Sequence, residues 1–303
     1  MKVRFGIIAD LHAEHIPDGA SRFRRFLGVC LEKNVDFCVQ LGDFCPPGDK
    51  NAGQKRKIMS LLREISLPFY HVLGNHDTDE NTKSDVLSYM GETSPYTSFD
   101  VGGVHFIILD ACYYREGERY FSYDKGNYKS VKNAEISVIP PVELNWLKND
   151  LAKTKLPSVI FSHQSLIESR TGIRNADELR RVIESAPSRV LLCICGHEHV
   201  DRLEHKNGIA YYCLNSASYY WAGSKYIHTT YGDKTEAVYP NMRKVFPYRE
   251  PLFAVIDIND SEISISGTAS HIVGTLPSEL DFHKDGLADE ITASIIDRKW
   301  KII

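Results

Sequence analysis

The sequence predicts an α/β fold in which buried strands alternate with helices. Short, almost continuously apolar runs are typical of strands covered on both faces, and apolar residues at every third or fourth position between them are typical of helices packed on one side. Polar residues follow several of these runs directly: residues 68–72 lead to Gly74, after which come Asn75, His76 and Asp77. Strand ends of this kind are separated by helices, so we predict one sheet assembly and a single domain over residues 1–303.

The composition narrows the class of protein. The chain has 303 residues, is 43% hydrophobic and 25% charged, and has a net charge of -4. That charge argues against nucleic acid or an anionic membrane surface as a partner, because both attract basic surfaces. The seven cysteines lie in or near apolar runs, which is typical of reduced core residues. No apolar run is long enough for a secretory leader or a membrane span, so we expect a cytoplasmic protein.

The elements of the first half end in reactive residues. An apolar strand over residues 3–9 leads into Asp10 and His12, which should point to one side because alternate residues of an extended chain share a face. A second strand, residues 35–41, ends in Gly42 and Asp43. The remaining predicted elements up to residue 110 are helices over 21–33, 54–65 and 85–90, and a hairpin over 97–110.

The second half repeats the pattern and then changes. Strands over 159–161 and 190–195 lead into His163 and into Gly196, His197 and His199. Two stretches lack regular patterning, and we expect them to be irregular insertions: the tyrosine-rich residues 112–138 and the aromatic residues 219–250. The other predicted elements are helices over 141–151 and 177–184, hairpins over 201–214 and 253–266, and a C-terminal strand extension over 251–303.

Seven strand-end residues have the chemistry of metal ligands: Asp10, His12, Asp43, Asn75, His163, His197 and His199. The carboxyl ends of strands in an open α/β sheet are where ligands bind. The set is too large for one ion but suits two divalent ions that share a carboxylate. Mixed imidazole and oxygen donors favour Mn, Fe, Zn or Co over Ca or Mg. Asp77 is interpreted at least as readily as the cap of a helix or turn as it is as a residue with a direct role in the site.

These motifs, in this order, resemble the calcineurin-like metallophosphoesterase family. The similarity runs from residue 5 to about residue 218, and it is greatest to the bacterial class III cyclic-nucleotide phosphodiesterase branch. The resemblance implies a four-layer αββα sandwich of two mixed sheets flanked by helices. It implies that Asp10, His12, Asp43 and His199 hold one metal ion. By the same resemblance Asp43, Asn75, His163 and His197 hold the other, so that Asp43 bridges the two.

The implied reaction is hydrolysis of a phosphoester by a hydroxide bridging the two metal ions, with His76 protonating the leaving oxygen. The substrate is expected to be a small-molecule or nucleotide-like phosphodiester. The alternatives are a phosphomonoesterase, a protein phosphatase of the same family, or a binding scaffold without activity. In many members an acidic or amide residue three positions after the bridging aspartate orients the histidine, and Pro46 stands there. The group that orients His76 is left open, as are the native metal, the oligomeric state and the roles of the two insertions.

Overall fold

The computed structural model describes residues 1–167, 170–282 and 291–302. Within these residues the helices are α1 (Gly19–Glu32), α2 (Ala52–Glu64), α3 (Lys83–Met90), α4 (Pro141–Lys153), α5 (Ala176–Glu184) and α6 (Asp233–Val238). The strands are β1 (Lys2–Ile8), β2 (Phe37–Gln40), β3 (Phe69–His71), β4 (Thr97–Val101), β5 (Val104–Ile108), β6 (Tyr113–Glu116), β7 (Arg119–Ser122), β8 (Glu135–Ile136), β9 (Ser158–Phe161), β10 (Val190–Cys195), β11 (Arg202–Lys206), β12 (Ile209–Cys213), β13 (Tyr219–Trp221), β14 (Val245–Pro247), β15 (Ala254–Asn259), β16 (Glu262–Ser266) and β17 (Arg298–Lys301). None of the helices in this part of the chain combines the length and apolarity needed to cross a membrane.

Two mixed six-stranded sheets form the centre of the fold. The first has the strand order β17-β16-β15-β1-β2-β3, and β1, β2 and β3 run parallel. The second has the order β11-β12-β10-β9-β5-β4, in which β12, β10, β9 and β5 run parallel and the two edge strands run antiparallel. The parallel strands of each sheet therefore deliver their carboxyl ends to a common edge.

The apolar side chains divide the molecule into four layers. Phe5, Phe37 and Phe106 pack between the two sheets, with ring centroids 5.0 Å apart for Phe5 and Phe37 and 5.5 Å apart for Phe5 and Phe106. Helices α1 and α2 cover the outer face of the first sheet, and α4 and α5 cover the outer face of the second. The predicted αββα sandwich of two mixed sheets is confirmed.

The stretches predicted to be irregular contain regular structure. Residues 112–138 hold the three-stranded sheet β7-β6-β8, so the interpretation of this segment as irregular is wrong. Residues 219–250 hold the antiparallel pair β13–β14 and the short helix α6. Short strands without a clean alternation of apolar and polar residues give little periodic signal. Beyond them, β15, β16 and β17 extend the first sheet, and residues 283–290 and 303 of the predicted extension lie outside the described residues.

Backbone hydrogen bonds join the loops at the shared sheet edge. The Asp10 amide donates to Gly42 O at 3.2 Å and the His12 amide donates to Asp43 O at 2.8 Å. Across the two sheets, the Ala217 amide donates to Ala9 O at 2.8 Å. The loops that follow β1 and β2 therefore run side by side, next to the loop that follows β12, and any side chains they present face one region.

Candidate metal centre

The seven predicted ligands come together at the sheet edge. They lie in the loops that follow β1, β2, β3, β9 and β10. Six are buried, among them Asp43 at 2% exposure and His163 at 0%, and His197 is partly exposed. A buried carboxylate needs compensating positive charge or hydrogen bonds, because losing water penalises the ionised form. The arrangement therefore concentrates donors where little water competes for them.

One donor group consists of Asp10, His12 and His199. Each offers a ligand atom, and these atoms all lie within 4.8 Å of one another. His199 Nε2 is 3.3 Å from Asp10 Oδ1. On the far side of the ring, His199 Nδ1–H donates to Tyr219 O at 2.8 Å, which fixes the tautomer and turns the Nε2 lone pair toward Asp10.

A second donor group consists of Asp43, His163 and His197, whose ligand atoms also lie within 4.8 Å of one another. His163 Nε2 is 3.3 Å from Asp43 Oδ2 and 3.1 Å from His197 Nδ1. His163 Nδ1–H donates to Leu41 O at 2.7 Å, so Nε2 is the nitrogen that faces the group. Asn75 adds an amide oxygen, since its Oδ1 lies 3.1 Å from His163 Nε2.

Asp43 stands between the two groups. Its Oδ2 is 3.3 Å from His163 Nε2 in the second group and 3.8 Å from His12 Nε2 in the first. Its Oδ1 accepts a hydrogen bond of 2.7 Å from the His76 amide, which fixes the plane of the carboxylate. Of the two aspartates in the groups, Asp43 is therefore the one placed to serve both.

The donor set fits two divalent cations. Nitrogen and oxygen ligands of one ion bind at about 2.0–2.2 Å and so lie roughly 3.0–3.5 Å apart, which matches the 3.1–3.3 Å separations around His163. Electrostatics point the same way. Burial alone would lower the pKa of His163, but the Asp43 and Asp10 carboxylates outweigh it and raise that pKa to about 10. The cluster favours positive charge at this point, which divalent cations would supply.

The backbone at these ligands is left-handed, whereas the sequence predicted an extended chain at Asp10 and His12. Asp10, His12 and Asp43 have φ values of 52°, 47° and 50°, and His197 and His199 have 67° and 53°. All five are left-handed, a conformation in which Asp and His are enriched among non-glycine residues. Strand β1 ends at Ile8, so the extended-chain reasoning for Asp10 and His12 is wrong although the two side chains do converge.

Glycines allow the loops to approach one another. A Cβ added to Gly74 would overlap the amide nitrogen and Oδ1 of Asp43, and one added to Gly196 would lie 2.6 Å from Asp10 Oδ2. No rotation of a side chain relieves the overlap at Gly74, because one of the atoms belongs to the backbone. The third motif therefore requires glycine directly before Asn75.

We expect Gly74→Ala to destabilise the fold and to displace Asp43. Overpacking of this kind costs about 1–3 kcal/mol in the free energy of unfolding, which urea denaturation would measure. The control is Gly28→Ala on the exposed face of α1, where an added Cβ meets nothing within 4 Å. That change should stabilise the helix by about 0.5–1 kcal/mol. Equal stability and equal metal content in both variants would contradict the close-approach argument.

Asp77 braces the loops and does not face the donor groups. Its carboxylate accepts hydrogen bonds from the amides of Asp43 and Phe44, each at 3.0 Å, and of Gly74 at 2.9 Å. These bonds tie the loop after β2 to the loop after β3. The interpretation of Asp77 as a cap of a turn fits these contacts.

His76 lies beside the donor groups and belongs to neither of them. Its side chain is 37% exposed, and its Nδ1 lies 2.7 Å from Asp79 Oδ2. Burial would lower the pKa of His76, but Asp43 and Asp79 outweigh it and raise that pKa to about 9. The ring is therefore able to carry a proton near neutral pH. Asp79 is not among the residues predicted from the sequence, although a carboxylate three positions after His76 is a visible signal.

Glu14 is a second residue near the site that was not predicted from the sequence. It is buried, with Oε1 3.3 Å from His15 Nε2 and 3.6 Å from His12 Nδ1. Glu14, His12 and His15 form a further group with metal-ligand chemistry. Because His12 faces Asp43 through Nε2, the carboxylate of Glu14 stands on the opposite side of that ring.

A comparison with known protein families matches residues 3–201 to the calcineurin-like phosphoesterase family. The chain belongs to that family. It is accordingly a hydrolase of phosphoric esters.

Two curated relatives of this phosphoesterase have named activities. The "Manganese-dependent ADP-ribose/CDP-alcohol diphosphatase" of Oryza sativa subsp. japonica is 27% identical over 134 residues, which cover 35% of this chain and 40% of that protein. The "Probable cyclic nucleotide phosphodiesterase" of Psychrobacter arcticus is 23% identical over 234 residues, which cover 70% of this chain and 79% of that protein.

Solved structures agree on the fold of the phosphoesterase. A dimetal phosphatase from Danio rerio has a TM-score of 0.61 at 18% identity, covering 90% of this chain and 98% of that one. GAP50, described as the anchor in the inner membrane complex of Plasmodium, has a TM-score of 0.52 at 16% identity, covering 93% of this chain and 91% of that one. At these identities the likeness shows the fold alone.

Proposed function

We propose that the protein is a metal-dependent phosphodiesterase acting on a small or nucleotide-like ester. The observation that carries the proposal is the convergence of two donor groups on Asp43, with His76 beside them in neither group. Asp10, His12 and His199 would hold one ion. Asn75, His163 and His197 would hold the other, and Asp43 would be shared. The ions, which we expect to be Mn, Fe or Zn, would lower the pKa of a water and offset the charge of the phosphoryl oxygens.

The protein's own residues perform the remaining steps. Two of the histidine rings are oriented by backbone carbonyls behind them, His163 by Leu41 O and His199 by Tyr219 O, so that Nε2 of each faces a carboxylate. His76 keeps Nδ1 on Asp79, which leaves Nε2 for the substrate. We assign to His76 Nε2–H the transfer of a proton to the leaving oxygen, a contribution of about 10²–10⁴-fold in rate.

A cleft beside His76 supports a small substrate. It has about 310 Å³ of open space, and its lining includes His15, Lys50, Asp79 and Asn81. Both curated relatives are named for phosphodiester or diphosphate chemistry on nucleotide-like molecules. We propose a cytoplasmic location, which the seven buried free cysteines support. We also propose that the chain is a single domain.

Hydrolysis of bis-p-nitrophenyl phosphate tests the proposal. Protein stripped of metal with a chelator should release p-nitrophenol only after Mn²⁺, Fe²⁺, Zn²⁺ or Co²⁺ is restored. The matched monoester, p-nitrophenyl phosphate, should turn over more slowly under the same conditions. A faster monoester would favour a phosphomonoesterase or protein phosphatase, and absence of turnover with every metal would refute the proposal. Cyclic nucleotides and nucleoside diphosphate esters would then be ranked by kcat/KM to identify the substrate class.

A further inference from the structure

His76 is held from one side by a carboxylate on its own turn. Residues His76–Thr78 form a single turn of 3₁₀-helix, which brings Asp79 back toward the ring. His76 Nδ1 lies 2.7 Å from Asp79 Oδ2. Pro46 lines the same cleft and has no side-chain group that could accept a hydrogen bond. Asp79 is therefore the carboxylate that sets the orientation of the imidazole.

Asp79 is itself fixed by two residues from the segment between β7 and β8. Tyr128 OH donates to Asp79 Oδ1 at 2.7 Å, and Lys129 Nζ lies 2.5 Å from Asp79 Oδ2. Each carboxylate oxygen thus has a partner other than His76. A carboxylate with both oxygens engaged has little freedom to rotate, so the ring that it holds is restrained as well.

Tyr128 also contacts a proposed metal ligand. Asn75 Nδ2 donates to Tyr128 OH at 3.2 Å, while Asn75 Oδ1 faces His163 Nε2 at 3.1 Å. Because the Asp79 carboxylate can only accept, the Tyr128 hydroxyl must donate to it and accept from Asn75. The amide is thereby oriented with its oxygen toward the second donor group. One hydroxyl connects the metal ligand to the group that orients His76.

Hydrogen bonds and ring stacking hold Tyr128 in place. The amides of Lys125 and Gly126 donate to Asn81 O and Thr78 O, each at 3.0 Å, so this segment is hydrogen-bonded to the turn that follows His76. The ring of Tyr128 stacks on buried Tyr123 with centroids 4.2 Å apart. The hydroxyl is therefore placed by contacts that do not depend on His76 or Asn75.

We infer that Asp79 and Tyr128 are positioning residues for the reaction. Asp79 holds His76 with Nε2 directed at the leaving oxygen, and Tyr128 couples that ring to the Asn75 amide. This gives the segment between β7 and β8 a defined role, and the inference rests on the proposed function of His76. A positioning role can be distinguished from a purely structural one. Loss of Asp79 or Tyr128 should lower the rate only through His76, and the loss should be larger for leaving groups that need a proton.

The test compares Asp79→Asn and Tyr128→Phe with the wild type on aryl phosphodiesters whose leaving phenols differ in pKa. For phenol, a poor leaving group, Asp79→Asn should lower kcat by about 10–100-fold, part of the full contribution of a general acid. For p-nitrophenol, which leaves without protonation, the loss should be under about 3-fold, with KM and metal content unchanged. Tyr128→Phe should act in the same direction. In a His76→Ala background, Asp79→Asn should change kcat no further, because the two residues act as a unit.

Tyr123→Phe is the matched control. It also removes a tyrosine hydroxyl from this aromatic stack, but that hydroxyl bonds to Ser137 and not to Asp79. It should leave the leaving-group dependence unchanged. The inference would be overturned if the loss in kcat were equal for all leaving groups, or if it added to the loss caused by His76→Ala. Turnover by the wild type would still support the proposed function in that case. Side-chain ¹⁵N NMR provides a readout that needs no turnover. The wild type should show the Nδ1–H of His76 in a hydrogen bond to a carboxylate, and Asp79→Ala should lose that bond. An unchanged Nδ1–H signal in both proteins would also overturn the inference.

Discussion

Asp43→Ala is expected to remove metal from both donor groups and to lower kcat/KM by at least about 10³-fold, since the ions supply several kcal/mol of transition-state stabilisation. Asp43 Oδ2 lies 3.3 Å from His163 Nε2 and 3.8 Å from His12 Nε2, so no other carboxylate in the two groups serves both. Elemental analysis of purified protein should give about two ions per chain for the wild type and close to none for the variant.

A control separates loss of metal from loss of structure. Asp100→Ala removes a mostly exposed carboxylate on the edge strand β4, where its partner is His105. That variant should keep its metal and its activity. The Asp43 variant should retain its circular dichroism spectrum, because the buried layers between the sheets do not involve Asp43. Full occupancy of one ion after Asp43→Ala would show that the carboxylate belongs to one group alone.

His76→Ala is expected to keep both ions and to lower kcat by about 10²–10⁴-fold. The reason is positional: the ring lies outside both donor groups, is 37% exposed, and has Nδ1 occupied by Asp79. Removing it takes away a proton donor while the ligand atoms stay in place. Elemental analysis together with steady-state kinetics would distinguish the two contributions.

His205→Ala is the appropriate comparison for His76. His205 lies on the edge strand β11 with its ring against Trp300, and it has no contact with the donor groups. Its loss should leave kcat and metal content unchanged. If His76→Ala instead releases metal, His76 is a ligand, and the assignment of the proton to its Nε2 must be abandoned.

The parts of the structure that follow from local pattern were predictable from the sequence. The strand over residues 190–195 has the predicted ends, because a continuous apolar run bounded by polar residues leaves one solution. The convergence of Asp10, Asp43 and His163 was also predictable, since parallel strands deliver their ends to one edge. Their service as ligands remains a prediction.

Contacts that depend on docking were not predictable. Strands β6, β7 and β8 are short and mostly partly exposed, so they lack a period that identifies them. Tyr128 reaches Asp79 and Asn75 across about fifty residues of chain, through hydrogen bonds that no spacing rule anticipates. The left-handed backbone at Asp10 and His12 was hidden for a related reason. Asp and His tolerate this conformation without a glycine to mark it.

That backbone has a consequence for engineering and for evolution. Five proposed ligands, among them Asp43 and His197, occupy a conformation that costs of order 1–3 kcal/mol at a non-glycine residue. Glycine at any of these positions would relieve the strain and delete a ligand in the same step. A screen for heat resistance that ignored turnover would therefore collect inactive proteins with glycine in these loops. Selection for thermostability must therefore be combined with selection for hydrolysis, because otherwise the most stable variants will be inactive.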